Sequence, residues 1–151
     1  MTVRPSKTVN KLFNFGNKVH NRLYRMSGGR FANSAANLPI LLITTYGRKS
    51  GKPHTNPVVF MQDGQDYIVS ASAGGTDYHP GWYLNLKNKP DAKVEVGDKS
   101  FSVKAEITEN EERHTLYEKF KSISSNFSKY EQGTKRLIPV IRLIVVNEVK
   151  S

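Results

Sequence analysis

Three short apolar runs rich in β-branched residues follow one another between Leu38 and Ala73, with no room for a helix between them. LPILLITTY (Leu38–Tyr46), NPVVFMQ (Asn56–Gln62) and DYIVSASA (Asp66–Ala73) read as strands. Asp63-Gly64 is a turn dipeptide, and the stretch after Tyr46 has the length of a hairpin loop. Strands joined this way are antiparallel neighbours, because a parallel pair needs a crossover of about a dozen residues or more. In the third run Tyr67, Val69 and Ala71 alternate with Ile68, Ser70 and Ser72. Two small hydroxyls on one face leave space for something to lie against the strand.

The remaining elements fit around this antiparallel start. His79-Pro80 opens a helix with proline at its first position, and WYLNLKNK carries it to Pro90. By the i,i+4 rule Trp82 and Leu86 share a face, as do Tyr83 and Lys87. Lys93–Val96 and Phe101–Thr108 read as two strands joined at Gly97-Asp98. Thr108-Glu109-Asn110-Glu111 has the capping-box pattern and starts a helix reaching about Ser122, with Leu116, Phe120 and Ile123 as its apolar face. PVIRLIVV (Pro139–Val146) is a last buried strand. Ahead of all these, Leu12, Phe15, Val19, Leu23 and Met26 recur at helical spacing in a basic helix over Val9–Met26. Such a helix either packs on the domain or lies on an anionic membrane surface. The sum is an α+β fold of about six mainly antiparallel strands curled into a barrel with flanking helices. Its 151 residues divide into an N-terminal helix region, 1–30, and a barrel domain, 31–151.

Charge and composition exclude several functions. Between Met1 and Gln62 there are ten Lys or Arg and no Asp or Glu, whereas the rest of the chain holds thirteen of each. A segment so biased attracts a polyanion: nucleic acid, an anionic membrane face, or a phosphorylated, carboxylate-bearing cofactor. Nucleic acid is disfavoured, because the aromatics do not interleave with the basic residues as a single-strand reader requires. No cysteine occurs, which removes disulfides, thiolate metal sites and cysteine nucleophiles and fits a cytoplasmic protein. The four histidines are scattered, and no metal, nucleophile-elbow or phosphate-loop motif is found. The N-terminus lacks the apolar stretch of a signal peptide, and no apolar run approaches a membrane span. If such a chain is an enzyme, its hard chemistry belongs to a bound cofactor. The loop Gly47-Arg48-Lys49-Ser50-Gly51-Lys52-Pro53 offers backbone N–H groups, a hydroxyl and cations, the parts of an anion site.

Four segments then occur in order: TTYGRKSGKP (Thr44–Pro53), TNP (Thr55–Pro57), SAS (Ser70–Ser72) and PGWYLNL (Pro80–Leu86). Together they resemble the deazaflavin-dependent nitroreductase family, split-β-barrel proteins that use the 8-hydroxy-5-deazaflavin coenzyme F420. The resemblance runs from about Leu38 to Val146. It implies that Arg48, Lys49 and Ser50 bind the cofactor's phosphate and acidic tail. His54, Thr55, Asn56, Pro57, Val58 and Val59 would pass beneath the ring, and Ser70, Ala71, Ser72 and Ala73 would line its edge. Gly81, Trp82, Tyr83, Leu84 and Asn85 would contact it from the helix start, and Phe127 would pack on ring or substrate.

Two departures stand out. His54 follows the loop proline where such proteins often carry Arg, which implies a weaker hold on the phosphate unless Lys52 substitutes. Between Ser124 and Tyr130, nitroimidazole-reducing members carry several tyrosines, and here Tyr130 is the one phenol. The resemblance implies an F420H2-dependent reductase acting on an activated alkene, quinone or nitro compound, with Tyr130 or Ser72 as proton source. It leaves open FMN or FAD in the same loop, a non-enzymatic cofactor, lipophile or nucleic-acid binder, and a monomer or a homodimer.

Overall fold

The computed structural model describes residues 7–29, 34–35 and 37–149, so residues 1–6 and 30 of the expected N-terminal region lie outside the described residues. Helix α1 spans Lys7–Met26 and is followed by strands β1 (Ser34–Ala35), β2 (Leu38–Tyr46), β3 (Pro53–Asp63) and β4 (Asp66–Ser70). A 3-10 turn, Ala73–Gly75, precedes helix α2 (Gly81–Asn88), and β5 (Asp91–Val96) and β6 (Lys99–Ile107) follow. Helices α3 (Asn110–Ile123) and α4 (Asn126–Gln132) lead to the last strand, β7 (Val140–Val149). The sheet order is β1-β2-β3-β4-β7-β6-β5, every pair is antiparallel, and β2 also pairs with β5. That extra pairing, Leu42 opposite Glu95 and Thr44 opposite Lys93, closes six strands into a barrel, with β1 as a short flap on β2.

Closure explains why LPILLI is apolar without alternation. Leu41 and Ile43 join Val69, Ala71, Val94, Val103, Ile141 and Leu143 in the barrel interior. Ile40 and Leu42, on the opposite face, are covered by Tyr24 of α1. A second layer forms outside the barrel, where Ile68 and Val140 meet Leu116, Tyr117 and Phe120 of α3 and Phe127 of α4. Each buried Val, Leu, Ile or Phe among these contributes about 1.5–3 kcal/mol.

Several elements differ from the sequence reading. β3 begins at Pro53, three residues before the expected Asn56, because His54 and Thr55 pair with Thr45 and Thr44. The loop therefore shortens to residues 47–52. Pro80 takes the N-cap position of α2 with extended ψ of 150°, so Gly81 is the first helical residue. The capping box does not form, since Thr108 donates its hydroxyl to Val140 O at 2.7 Å instead. Ile123 is 42% exposed, and Tyr117 takes its place on the buried face of α3. The helix α4 has no counterpart in the sequence reading.

The largest correction concerns α1. Val19, Leu23 and Met26 of the expected packing face are 46%, 42% and 74% exposed, while Tyr24 is buried. The side chains of Leu12 and Phe15 lie outside the described residues. Packing is carried by Tyr24 because its hydroxyl is satisfied on both sides: it donates to Ile40 O at 3.0 Å and accepts from Gly97 N at 2.8 Å. Asn21 Nδ2 adds a bond to Thr55 O at 3.0 Å. Just beyond the helix, Gly29 crosses Gly97 so closely that a Cβ would run into the Gly97 backbone.

Replacing Tyr24 by Phe keeps the ring and strands a carbonyl and an N–H. Urea unfolding of Tyr24→Phe is expected to show a loss of about 1–3 kcal/mol. An unchanged midpoint would mean that the hydroxyl does not hold the helix.

Candidate functional site

A cavity of about 1210 Å³ lies between α1, the 47–52 loop, the first half of β3 and the end of β4. Its volume is above the range of about 300–1,000 Å³ common for small-molecule sites. The loop that forms one end is internally braced: Gly47 N donates to Lys52 O and Gly51 N to Gly47 O, both at 2.8 Å. Ser50 Oγ accepts from Lys52 N at 3.2 Å. Gly47, Arg48, Lys49 and Ser50 all reach the cavity, as does His54.

Arg48 is aimed by a residue of α2. Asn85 is buried, and its Oδ1 accepts from Arg48 N at 3.2 Å and from Arg48 Nη1 at 3.1 Å. The other end of that amide donates to the buried Thr45 Oγ1 at 3.1 Å. This chain of bonds orients the guanidinium before any anion arrives, lowering the entropy lost on binding.

The floor is β3 from Pro53 to Val59, including Thr55, Asn56, Pro57 and Val58. One wall is made by Ser70, Ser72, Ala73 and Gly74, with the two serine hydroxyls bonded at 2.6 Å. Another holds Tyr78, Pro80, Gly81 and Trp82, and α4 supplies Phe127 and Tyr130. Tyr130 meets Phe127 edge to face at 5.5 Å. Tyr117, pushed up to about 12 by burial, donates to Phe127 O at 2.7 Å and holds α4 in place.

Three of the residues singled out from the sequence do not reach the cavity. Ala71 is fully buried in the barrel core, since strand alternation turns it away from the side that Ser70 and Ser72 occupy. Tyr83 is buried beside His79, with ring centroids 4.9 Å apart, and Leu84 packs on the core.

Sequence reasoning missed the roof. Asn17, Lys18, Asn21, Arg22, Arg25 and Met26 of α1 line the cavity, as does Ala35. The spacing of Lys18, Arg22 and Arg25 places them on one helical face, a signal present in the sequence. Arg25 is also bidentate to Glu95, with both bonds at 2.9 Å, and this ion pair raises its pKa. Five Lys or Arg and His54 line the cavity, and among the described residues no Asp or Glu does. Every one of these cations comes from the acid-free segment before Asp63.

The class follows from the fold. A pyridoxamine 5'-phosphate oxidase-type protein from Listeria innocua aligns at a TM-score of 0.54 with 12% identity, over 87% of this chain and 96% of that one, a likeness of fold alone. An F420H2-dependent reductase structure aligns at a TM-score of 0.64 with 37% identity, over 70% of this chain and 93% of that one. A structure described as a domain-swapped dimer aligns at 0.67 with 32% identity, over 83% and 94%. The fold is thus a split barrel.

The family follows from the sequence comparison. The family model for F420H(2)-dependent quinone reductase matches residues 17–146. An F420H(2)-dependent quinone reductase of Mycobacterium tuberculosis is 34% identical over 130 residues, 83% of this chain and 87% of the relative. The chain belongs to the F420H(2)-dependent quinone reductase family, a family of F420-dependent oxidoreductases.

One titratable group behind the wall gives a pH signature. Burial, then Arg136 and then Lys87, hold the His79 pKa below its ordinary value. In the unfolded chain His79 takes up a proton near pH 6.5, whereas the folded protein resists it. Its contribution to stability is therefore complete above about pH 6.5 and is lost as pH falls through the lower folded value. The difference in thermal midpoint between wild type and His79→Gln is expected to shrink from pH 7.5 towards pH 5. Parallel curves would exclude this linkage.

Proposed function

We propose that this protein reduces a quinone to a hydroquinone with F420H2, binding the cofactor in the cavity between α1 and β3. The observation that carries the reading is the cavity wall: five Lys or Arg, His54 and no carboxylate among the described residues. F420 bears a phosphodiester and an acidic tail, so a rim of this charge attracts it. When bound, the reduced cofactor supplies a hydride from its ring carbon.

The chain's own groups take the remaining roles. Arg48, preset by Asn85, and Lys49 and Ser50 hold the phosphate end. His54 to Val59 support the ring from below, and Ser70, Ser72 and Ala73 define its edge, with Gly81, Trp82 and Asn85 on the α2 side. A quinone that gains a hydride needs one proton to become the hydroquinone, and we assign that delivery to Tyr130 Oη or Ser72 Oγ. Phe127, singled out as a stacking surface, is only 1% exposed and instead backs Tyr130 edge to face. Position and exclusion of water, rather than an acid–base pair, are the protein's contribution.

Two further readings concern surroundings. The stripe of Val19, Leu23 and Met26 is exposed, and the cations beside it, Lys18, Arg22 and Arg25, are the ones that also line the cavity. That combination supports peripheral contact with an anionic membrane, the medium in which a lipophilic quinone dissolves. The solved domain-swapped dimer favours a homodimer over a monomer, which light scattering on the purified chain distinguishes.

Titration of F420 with the purified protein is expected to change the cofactor's fluorescence. Arg48→Glu with Lys49→Glu should raise the dissociation constant about tenfold or more at low salt and less at high salt. No change with wild type would sink the cofactor reading. Co-sedimentation with vesicles should be seen with anionic and not with neutral lipid, and Leu23→Asp should abolish it. No sedimentation with anionic vesicles would remove the membrane contact, and equal sedimentation with both would remove its dependence on anionic lipid.

A further inference from the structure

Arg136 lies in the connection between α4 and β7 and does not line the cavity. Its guanidinium nevertheless grips the segment that forms one cavity wall. Nε donates to Thr76 O at 2.8 Å, and Nη2 donates to Ser72 O at 2.8 Å and to Ala71 O at 3.2 Å. Nη1 stands 3.0 Å from His79 Nδ1. Arginine can only donate, so His79 Nδ1 accepts and the imidazole proton resides on Nε2. None of the four acceptors is a carboxylate. A planar fork fits this divergent set, whereas a single ammonium does not.

The gripped segment is the one whose backbone most needs support. Ala73, Gly74 and Gly75 run in succession at φ of 47°, 67° and 79°. The left-handed region is disfavoured for alanine by its Cβ and persists where the surroundings hold it. Thr76 Oγ1 donates to Ala73 O at 2.8 Å and Gly75 N to Ser72 O at 2.9 Å, local bonds that the guanidinium reinforces from outside. On one side of this turn Ser72, Ala73 and Gly74 face the cavity. On the other, Gly75 lies so close to α4 that a Cβ would stand 2.8 Å from Tyr130 Cα. One side chain thus fixes both Ser72 and the seat of Tyr130.

We propose that Arg136 is a positioning residue for the reaction: it holds the 71–76 turn in its left-handed form, with His79 as the anchor on the α2 side, and so sets Ser72 and Tyr130 against the bound acceptor. The proposal rests on the reading of the cavity as the F420 site. It differs from a general role in stability because its effect is confined to one turn and to turnover.

The test compares full-length Arg136→Met and Arg136→Lys with wild type, and Lys135→Met serves as an adjacent exposed control. Backbone hydrogen exchange of the free protein is measured by segment, with thermal midpoints and steady-state reduction of a soluble quinone by F420H2. In both variants the amides of Ala71, Gly75 and Thr76 are expected to exchange about tenfold faster or more, while β6 and β7 keep wild-type rates. The kcat at saturating F420H2 is expected to fall about tenfold, with the KM for quinone changed less than about twofold. Lysine gives no rescue, and Lys135→Met behaves as wild type. Unchanged exchange at 71–76, acceleration spread over the whole barrel, or an unchanged kcat overturns the proposal. If the Met form does not fold, the Lys form carries the test, and failure of both to fold marks Arg136 as a general stability element and also overturns it. If wild type neither binds nor oxidises F420H2, the cofactor reading and the role in turnover fail, and the exchange data decide the grip on the turn.

Discussion

The pairing of β2 with β5 is the constraint on which the rest depends. Without it the six strands would form an open sheet with two edges, and β2 would present unpaired N–H and C=O groups along Leu42–Thr44. With it, β2 is bonded on both sides and covered on both faces, a firmly held base for a loop. The 47–52 loop is the direct continuation of that strand. Thr45, near its end, is buried and carries the bond to Asn85 that in turn aims Arg48. The basic end of the cavity inherits its precision from barrel closure.

The cavity itself is built on the side of β3 that the barrel does not use. Barrel strands bury one face inward, so a ligand site needs an outer face that some other element roofs without filling. Here α1 provides the roof, resting on Tyr24 and Asn21 near its C-terminal end. Its basic residues meet those of the loop across the gap, and like charges gathered there are unfavourable until an anion enters. That cost is one that the proposed cofactor, an anion, would relieve.

Much of this was legible in the sequence, for identifiable reasons. Strands β2, β4 and β6 declare themselves by apolar content or by alternation, and hairpin-length links impose antiparallel order. The serine face of β4 and the basic loop could be placed because they depend only on local geometry. The roof could not, because α1 buries a tyrosine through two hydrogen bonds of its hydroxyl and leaves its aliphatic stripe exposed. A hydrophobic pattern predicts burial by area, and here hydrogen bonding decided the face. Helix α4 was hidden because in NFSKYEQ only Phe127 is buried, too little to set a period. The links from Asn85 to Arg48 and Thr45, and from Arg136 to residues 71–79, join positions about 40 to 65 apart in sequence. No local pattern encodes contacts of that kind.

The crossing of Gly29 over Gly97 has a consequence for how this architecture can vary. Two backbones in direct contact bring the chain just past α1 against Gly97, and the bonds of Tyr24 and Asn21 hold the helix itself above the sheet. That approach depends on Gly29, where a Cβ would stand 2.3 Å from Gly97 Cα, whereas a Cβ at Gly97 would meet nothing nearer than Gly28 O at 4.0 Å. Residues that face the gap without holding the helix, such as Lys18 and Arg22, can then change in charge or size while this contact stands. A scaffold of this sort separates the width of its binding slot from its chemistry, so one can be retuned for a new acceptor while the other is left alone.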